Sequence, residues 1–155
     1  MQVVHYAADG WGVGELWFDD DGLPVWHELP MPGRALERTS RAPELVGRIA
    51  SYFRGERVSF DDVAIDLEWC TPLQTAIAAA LRRVPYGETV TYGELAALAG
   101  APGAARAAGS FCARNRLGLF VPCHRVVAAG GIGSYGSHGL AYKRRLLELE
   151  GAAVR

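Results

Sequence analysis

The sequence predicts an α+β protein built in two parts, a small α+β half over residues 1–68 and a mainly helical half over 69–155. Three observations carry that expectation. Apolar runs of strand character around a turn are confined to the first 70 residues. Two helix-capping motifs separated by short turns fall after residue 70. The charge changes sign at the same place. Residues 1–70 hold 13 acidic and 6 basic side chains and residues 71–155 hold 4 and 10, so a net charge of −1 conceals an acidic half and a basic one. A chain of 155 residues can bury one core of ordinary size, or two small ones.

Taken in order, "VGELWFDDDGLPVWHELP" predicts a β-hairpin turning at Asp19-Asp20-Asp21-Gly22. "PGRALERTSRAP" (32–43) is polar with a proline at each end and predicts an exposed loop. Leu45, Ile49 and Phe53 recur at i, i+4 and i+8, a helix stopped by Gly55. Val63, Ile65 and Leu67 alternate with polar or small residues and predict one more strand. Thr71-Pro72-Leu73-Gln74 combines an N-cap, proline at the first helical position and glutamine at the third, opening a helix to about Val84. Thr91-Tyr92-Gly93-Glu94 is a second such box. It leads into "ELAALAG", a turn at "APG" and a further helix at "AARAAGSFCARN", the spacing of a helix-turn-helix. "LGLFV" (117–121) predicts a buried strand and "YKRRLLELE" (142–150) a closing helix.

Several function classes recede at once. "MQVVHYAADG" lacks the basic and apolar regions of a signal peptide, and no apolar run approaches the roughly 18 residues of a membrane helix. Three cysteines without CxxC spacing argue against a disulfide framework and a thiolate zinc site. His5 and His27 have no cysteine partners for a metal. The expectation is a cytoplasmic protein with no metal, no cofactor and no membrane partner. The basic half points to nucleic acid or to uneven surface decoration. Its second helix is smooth, with Ala104, Ala105, Ala107, Ala108 and Gly109 around a single Arg106. Such a surface can pack on another helix. It can equally press into a groove, one arginine reaching the base stack as wedge side chains do.

Chemistry concentrates in "FVPCHRVV" (120–127). Thiolate is the attacking form of cysteine, so a reactive Cys123 needs a base and a group to orient that base. His124 is adjacent, and Glu150 on the last helix could reach back. Pro122 suits a first helical turn, which would set Cys123 among unpaired backbone N–H groups. These residues alone fit either an activated nucleophile or a buried structural thiol.

"VPCHRVV" resembles the active-site signature of the O6-alkylguanine-DNA alkyltransferases, also called methylated-DNA–protein-cysteine S-methyltransferases. The resemblance runs from "TPLQTAIAAALRRVPYGETVTYGELAALAG" through "GAARAAGSFCARN" to "GLAYKRRLLELEG", and only loosely into "YFRGERVSFDDVAIDL". It implies a ribonuclease-H-like N-terminal domain and a helix-turn-helix C-terminal one. It implies single-turnover transfer of the alkyl group from O6-alkylguanine, and from O4-alkylthymine, in double-stranded DNA to Cys123, with no obligate protein partner. His124 would take the thiol proton through a water, Glu150 would orient His124, Tyr92 would lie by the extruded guanine, and Asn115 would join the recognition helix to the reactive turn. Arg106 would fill the gap in the duplex, with Ala104, Ala105, Gly109, Arg114, Arg116 and Arg125 along the DNA. The backbone at Val126 and the loop of Ser134, Tyr135 and Gly136 would form the guanine pocket, with His138 on its rim. Two family prolines are missing around Asn115-Arg116-Leu117-Gly118, and "GSYGSHG" departs from the usual loop. The alternatives are a lesion-recognition protein without transfer, a helix-turn-helix regulator and a cysteine hydrolase.

Overall fold

Strands β1 (Gln2–Ala8), β2 (Gly12–Phe18) and β3 (Pro24–Met31) form an antiparallel meander in that order, and helix α1 (Glu44–Phe53) packs on β1. The computed structural model describes residues 1–37 and 44–153. It divides into a first unit of Met1–Asp66 with Arg116–Gly118, and a second of Leu67–Asn115 with Leu119–Arg155. The β2–β3 hairpin forms where the sequence places it. Asp19 Oδ1 accepts from the amides of Asp21 and Leu23, both at 2.9 Å, which lets three acidic residues make a tight turn. α1 ends two residues before Gly55, whose φ of 92° suits a residue without Cβ. The core of this unit is aromatic, with Trp11 against Phe53 at 5.0 Å and Tyr52 against Phe60 at 6.2 Å.

Two expectations fail here for physical reasons, and one strand, β1, went unannounced. β1 carries no alternation because Val3, Val4, His5 and Tyr6 are all buried, so neither face shows a polar row. The predicted strand at 63–67 does not form. Asp66 donates to Pro24 O at 2.9 Å, but Val63, Ile65 and Leu67 are half-buried and no ladder develops. "LGLFV" is buried yet is no strand, because Leu119 adopts φ 74°. Only Leu117 bridges, in parallel, to His27 on β3. Of the loop at 32–43, residues 32–37 are exposed or half-buried and 38–43 lie outside the described residues.

The second unit runs α2 (Pro72–Leu81), β4 (Val90–Thr91), α3 (Tyr92–Leu98), α4 (Ala105–Arg114), β5 (Val126–Val127) and α5 (Leu140–Leu149). Both capping boxes form completely. Gln74 N donates to Thr71 Oγ1 at 3.2 Å and Thr71 N to Gln74 Oε1 at 2.9 Å; the matching bonds of Thr91 and Glu94 are 3.1 and 2.9 Å. α2 stops short of Val84 because its last turn tightens into i→i+3 bonds from Arg83 and Val84. β4 and β5 pair in parallel over two residues each, too short for any sequence period to announce. α3 packs on α4, and both pack on α2. Ile77, Leu81, Leu95, Phe111 and Leu146 are wholly buried, with Trp69 stacked on Phe111 at 6.0 Å. Among the described residues no helix is long and apolar enough to cross a membrane.

Candidate active site

Cys123 leaves an inverse γ-turn. Pro122 has φ −81° and ψ 68°, and Cys123 N donates to Val121 O at 2.8 Å. The same carbonyl accepts from Asn115 Nδ2 at 2.8 Å, so the residue that caps α4 also holds the turn. Cys123–Arg125 then form one turn of 3-10 helix. This corrects the expectation that Cys123 sits among free amides at a helix start. Its amide is already paired, and a three-residue turn has no macrodipole to speak of.

Cys123 is buried, 7% exposed as a residue. Burial pushes Cys123 above the ordinary cysteine value, while Asn115, the cation of Lys143 and the Tyr135 hydroxyl pull it back. Lys143 was missed in the sequence. Its side chain is completely buried, with Nζ donating to Val126 O at 2.5 Å and Ser134 O at 3.0 Å. Burial lowers its pKa. The signal was present, because Lys143 lies at i, i+3, i+4 and i+7 with Leu146, Leu147 and Glu150, on the inward stripe of α5. Cys112 is pushed up by its own burial and by Cys123, which makes it an unreactive neighbour.

Behind the cysteine, His124 Nε2 meets Glu150 Oε2 at 2.6 Å, both side chains wholly buried. Nε2 therefore carries the hydrogen, and Nδ1 the lone pair. Burial lowers the His124 pKa against the opposing pull of Glu150. Burial alone would raise Glu150, but His124 and Arg125 hold its carboxyl well below the usual range. Arg125, expected along the DNA, is instead a buried group. Its Nε donates to Glu150 Oε1 at 2.9 Å, one terminal nitrogen to Oε2 at 3.1 Å and the other to Val84 O at 2.8 Å. Gly87 N, in the Pro85-Tyr86-Gly87 segment after α2, adds a further bond to the carboxylate at 3.0 Å.

Tyr92 opens α3, half-buried, and its hydroxyl accepts from Ser134 N at 3.4 Å. Gly133 explains the fit of this loop. At φ 83°, a Cβ there would come within 2.8 Å of the Tyr92 hydroxyl and 3.2 Å of Ala128 N. Gly109 also faces Tyr92, with room to spare, a Cβ there lying 3.9 Å from the ring. Tyr135 is buried, and its ring lies 5.7 Å from His138 and 6.4 Å from Tyr142. Gly136 starts a short 3-10 turn ending at His138, so His138 is a half-buried packing residue of the loop. Cys123, His124, Glu150, Asn115, Tyr92, Val126, Tyr135 and Ser134 are thus joined by one set of contacts.

On α4 the side chains of Arg106 and Arg114 are exposed, and Ala104 and Ala105 stand half-exposed at its start. Arg116 is exposed as well. It belongs to the first unit, where its guanidinium lies 5.4 Å over the ring of Trp26.

A buried cysteine backed by a histidine and a carboxylate, near a helix whose exposed arginines stand among small residues, is the arrangement of a protein with a cysteine nucleophile. The model of the family described as "6-O-methylguanine DNA methyltransferase, DNA binding domain" matches residues 72–152. The methylated-DNA–protein-cysteine methyltransferase of Mycobacterium tuberculosis is 48% identical over 157 residues, covering 96% of this chain and 93% of that protein. The Mycobacterium leprae protein of the same name is 49% identical over 109 residues, 69% of this chain and 64% of that protein's length. The crystal structure of Mycobacterium tuberculosis OGT in complex with DNA superposes with a TM-score of 0.78 at 34% identity, covering 97% of this chain and 93% of that one. The chain belongs to the methylated-DNA–protein-cysteine methyltransferase family.

Proposed function

We propose that this protein repairs O6-alkylguanine, and O4-alkylthymine, in double-stranded DNA by moving the alkyl group once onto Cys123. The observation that carries the reading is Cys123 held by Asn115 and backed by the His124–Glu150 pair at 2.6 Å. Because burial keeps the resting thiol neutral, ionisation has to be coupled to proton transfer. The Sγ proton passes to His124 Nδ1, directly or through a water, while Glu150 stabilises the imidazolium that forms. The thiolate attacks the alkyl carbon; the S–C bond forms and the C–O6 bond breaks. The electron pair goes to guanine O6, next to which the Tyr92 hydroxyl donates a hydrogen bond. A proton returns from the imidazolium to the base, so the products are S-alkylcysteine and guanine. The alkyl group stays on Cys123, so in this reading each molecule acts once.

A helix-turn-helix of α3 and α4 would place Arg106 and the small face of Ala104, Ala105 and Gly109 in a groove, where Arg106 fills the gap left by the flipped base. Arg114 would add a phosphate contact. In this reading residues 69–155 form the transfer domain and Val126, Tyr135, Ser134 and Gly136 line the base pocket. Residues 1–68 form a reduced ribonuclease-H-like domain, its meander and α1 supporting that assignment, and the protein works in the cytoplasm.

The test is intact-protein mass after incubation with a duplex holding one O6-methylguanine. Wild type should gain one methyl group and stop at one equivalent, whereas Cys123→Ala should gain none and still bind the duplex. Binding without any gain in wild type would point to a lesion-recognition protein, and repeated turnover to a hydrolase.

A further inference from the structure

We infer that Arg125 is a positioning residue for the transfer reaction: it grips both oxygens of Glu150, fixes that carboxylate against His124 Nε2, and keeps His124 in its neutral, proton-accepting form. The inference rests on the function proposed above and names a part of its machinery. Glu150 receives four hydrogen bonds, from His124 at 2.6 Å, from Arg125 at 2.9 and 3.1 Å, and from Gly87 at 3.0 Å. The fork is bidentate, which sets the plane of the carboxylate as well as its charge. Val84 O takes the remaining guanidinium nitrogen at 2.8 Å, so the arginine is anchored independently of the pair it serves.

Charge counting explains the rest. In a site this dry, the stable protonation state is the one closest to neutral overall. With Arg125 present, the carboxylate is already balanced, and the imidazole stays neutral. Without it, Glu150 has only His124 to balance it, and a histidine already protonated cannot accept the thiol proton. The charged and titratable groups around the imidazole are few. Glu150 and Lys143 face it from α5, and Cys123 and Arg125 flank it on its own turn. Tyr86 stands beside Arg125, its ring 5.9 Å from the guanidinium. Burial, Arg125 and Lys143 favour the neutral ring, and Glu150 alone opposes them.

The experiment compares wild type, Arg125→Gln and Arg125→Lys. It reads single-turnover methyl transfer from about pH 5 to 9, with the salt dependence of duplex binding measured in parallel. Arg125→Gln should move the acid limb of the rate profile up by about one pH unit. Arg125→Lys, which keeps the charge and loses the fork, should leave the limb in place and lower the plateau by roughly tenfold. If Arg125→Gln does not fold, the Lys variant alone decides, since a wild-type plateau would overturn the inference. An unmoved limb in a folded Arg125→Gln, with the rate lower by one factor at every pH, would also overturn it. So would a drop of about one in the salt slope of either variant, the mark of a lost phosphate contact. A wild type that gains no methyl group defeats the underlying function instead, and shows itself before any variant is compared.

Discussion

Both units bury histidines in hydrogen-bonded relays, and the relays of His27 and His124 differ in what surrounds the ring. In the first, Tyr6 Oη lies 2.6 Å from His27 Nε2, and His27 Nδ1 donates to Gly118 O at 2.7 Å. The His27 amide donates to Arg116 O at 2.7 Å as well, so one residue ties the connector 116–118 to β3 by backbone and side chain. In the second, His124 has a carboxylate as its partner, and a thiol stands beside it. Neutral partners fix a tautomer and stiffen a loop. A charged partner also decides whether the ring can carry a proton. Neither burial of a histidine nor a carboxylate behind it is therefore a sign of chemistry by itself, since buried His5 meets Glu15 at 3.1 Å; what sets His124 apart is the thiol beside it.

Four variants or conditions would break or sharpen this contrast. The largest effect belongs to Glu150→Gln, which leaves Arg125 buried without its counter-charge. The second unit should lose about 3–5 kcal/mol, read by urea unfolding, and a loss under about 1 kcal/mol would mean that the network is not the anchor described. Next comes acid. Glu150 titrates in the folded state below its ordinary value of 4.5, so its contribution is complete above that value and drains away as pH falls from there toward the folded one. Melting temperatures of wild type should fall steeply in that window, and those of Glu150→Gln should fall less. His27→Gln should cost about 1–3 kcal/mol by leaving Gly118 O or Tyr6 short of a partner, with the transfer rate of the folded protein unchanged. A changed rate would show that the first relay also serves the chemistry. Tyr6→Phe should be the mildest, about 1 kcal/mol, again by urea unfolding.

Much of the molecule was legible in the order of its residues. The hairpin, the two capping boxes that open α2 and α3, and the grouping of Cys123, His124, Asn115, Tyr92 and Glu150 rest on local chemistry or on the family resemblance. The misses share a cause. β1 hid because its run at Val3–Tyr6 is covered on both sides, and the two-residue pair β4–β5 hid because a parallel partner 36 positions along leaves no period. "LGLFV" looked like a strand until Leu119 turned left-handed.

Arg125 and Lys143 show where the boundary lies. Both are cations in a basic half, and composition assigns cations to the surface and to phosphates. What reverses that assignment is the carboxylate of Glu150, 25 residues away from Arg125, and the carbonyls of Val126 and Ser134 around Lys143. The sequence alone determined the hairpin, the capped helices, the reactive residue types and the family, because capping, hydrophobic spacing and a seven-residue signature act over short range. Which charges stay exposed and which face inward was decided only by the tertiary structure. A buried charge survives where partners from distant segments satisfy it, and those partners have no position until the chain has folded.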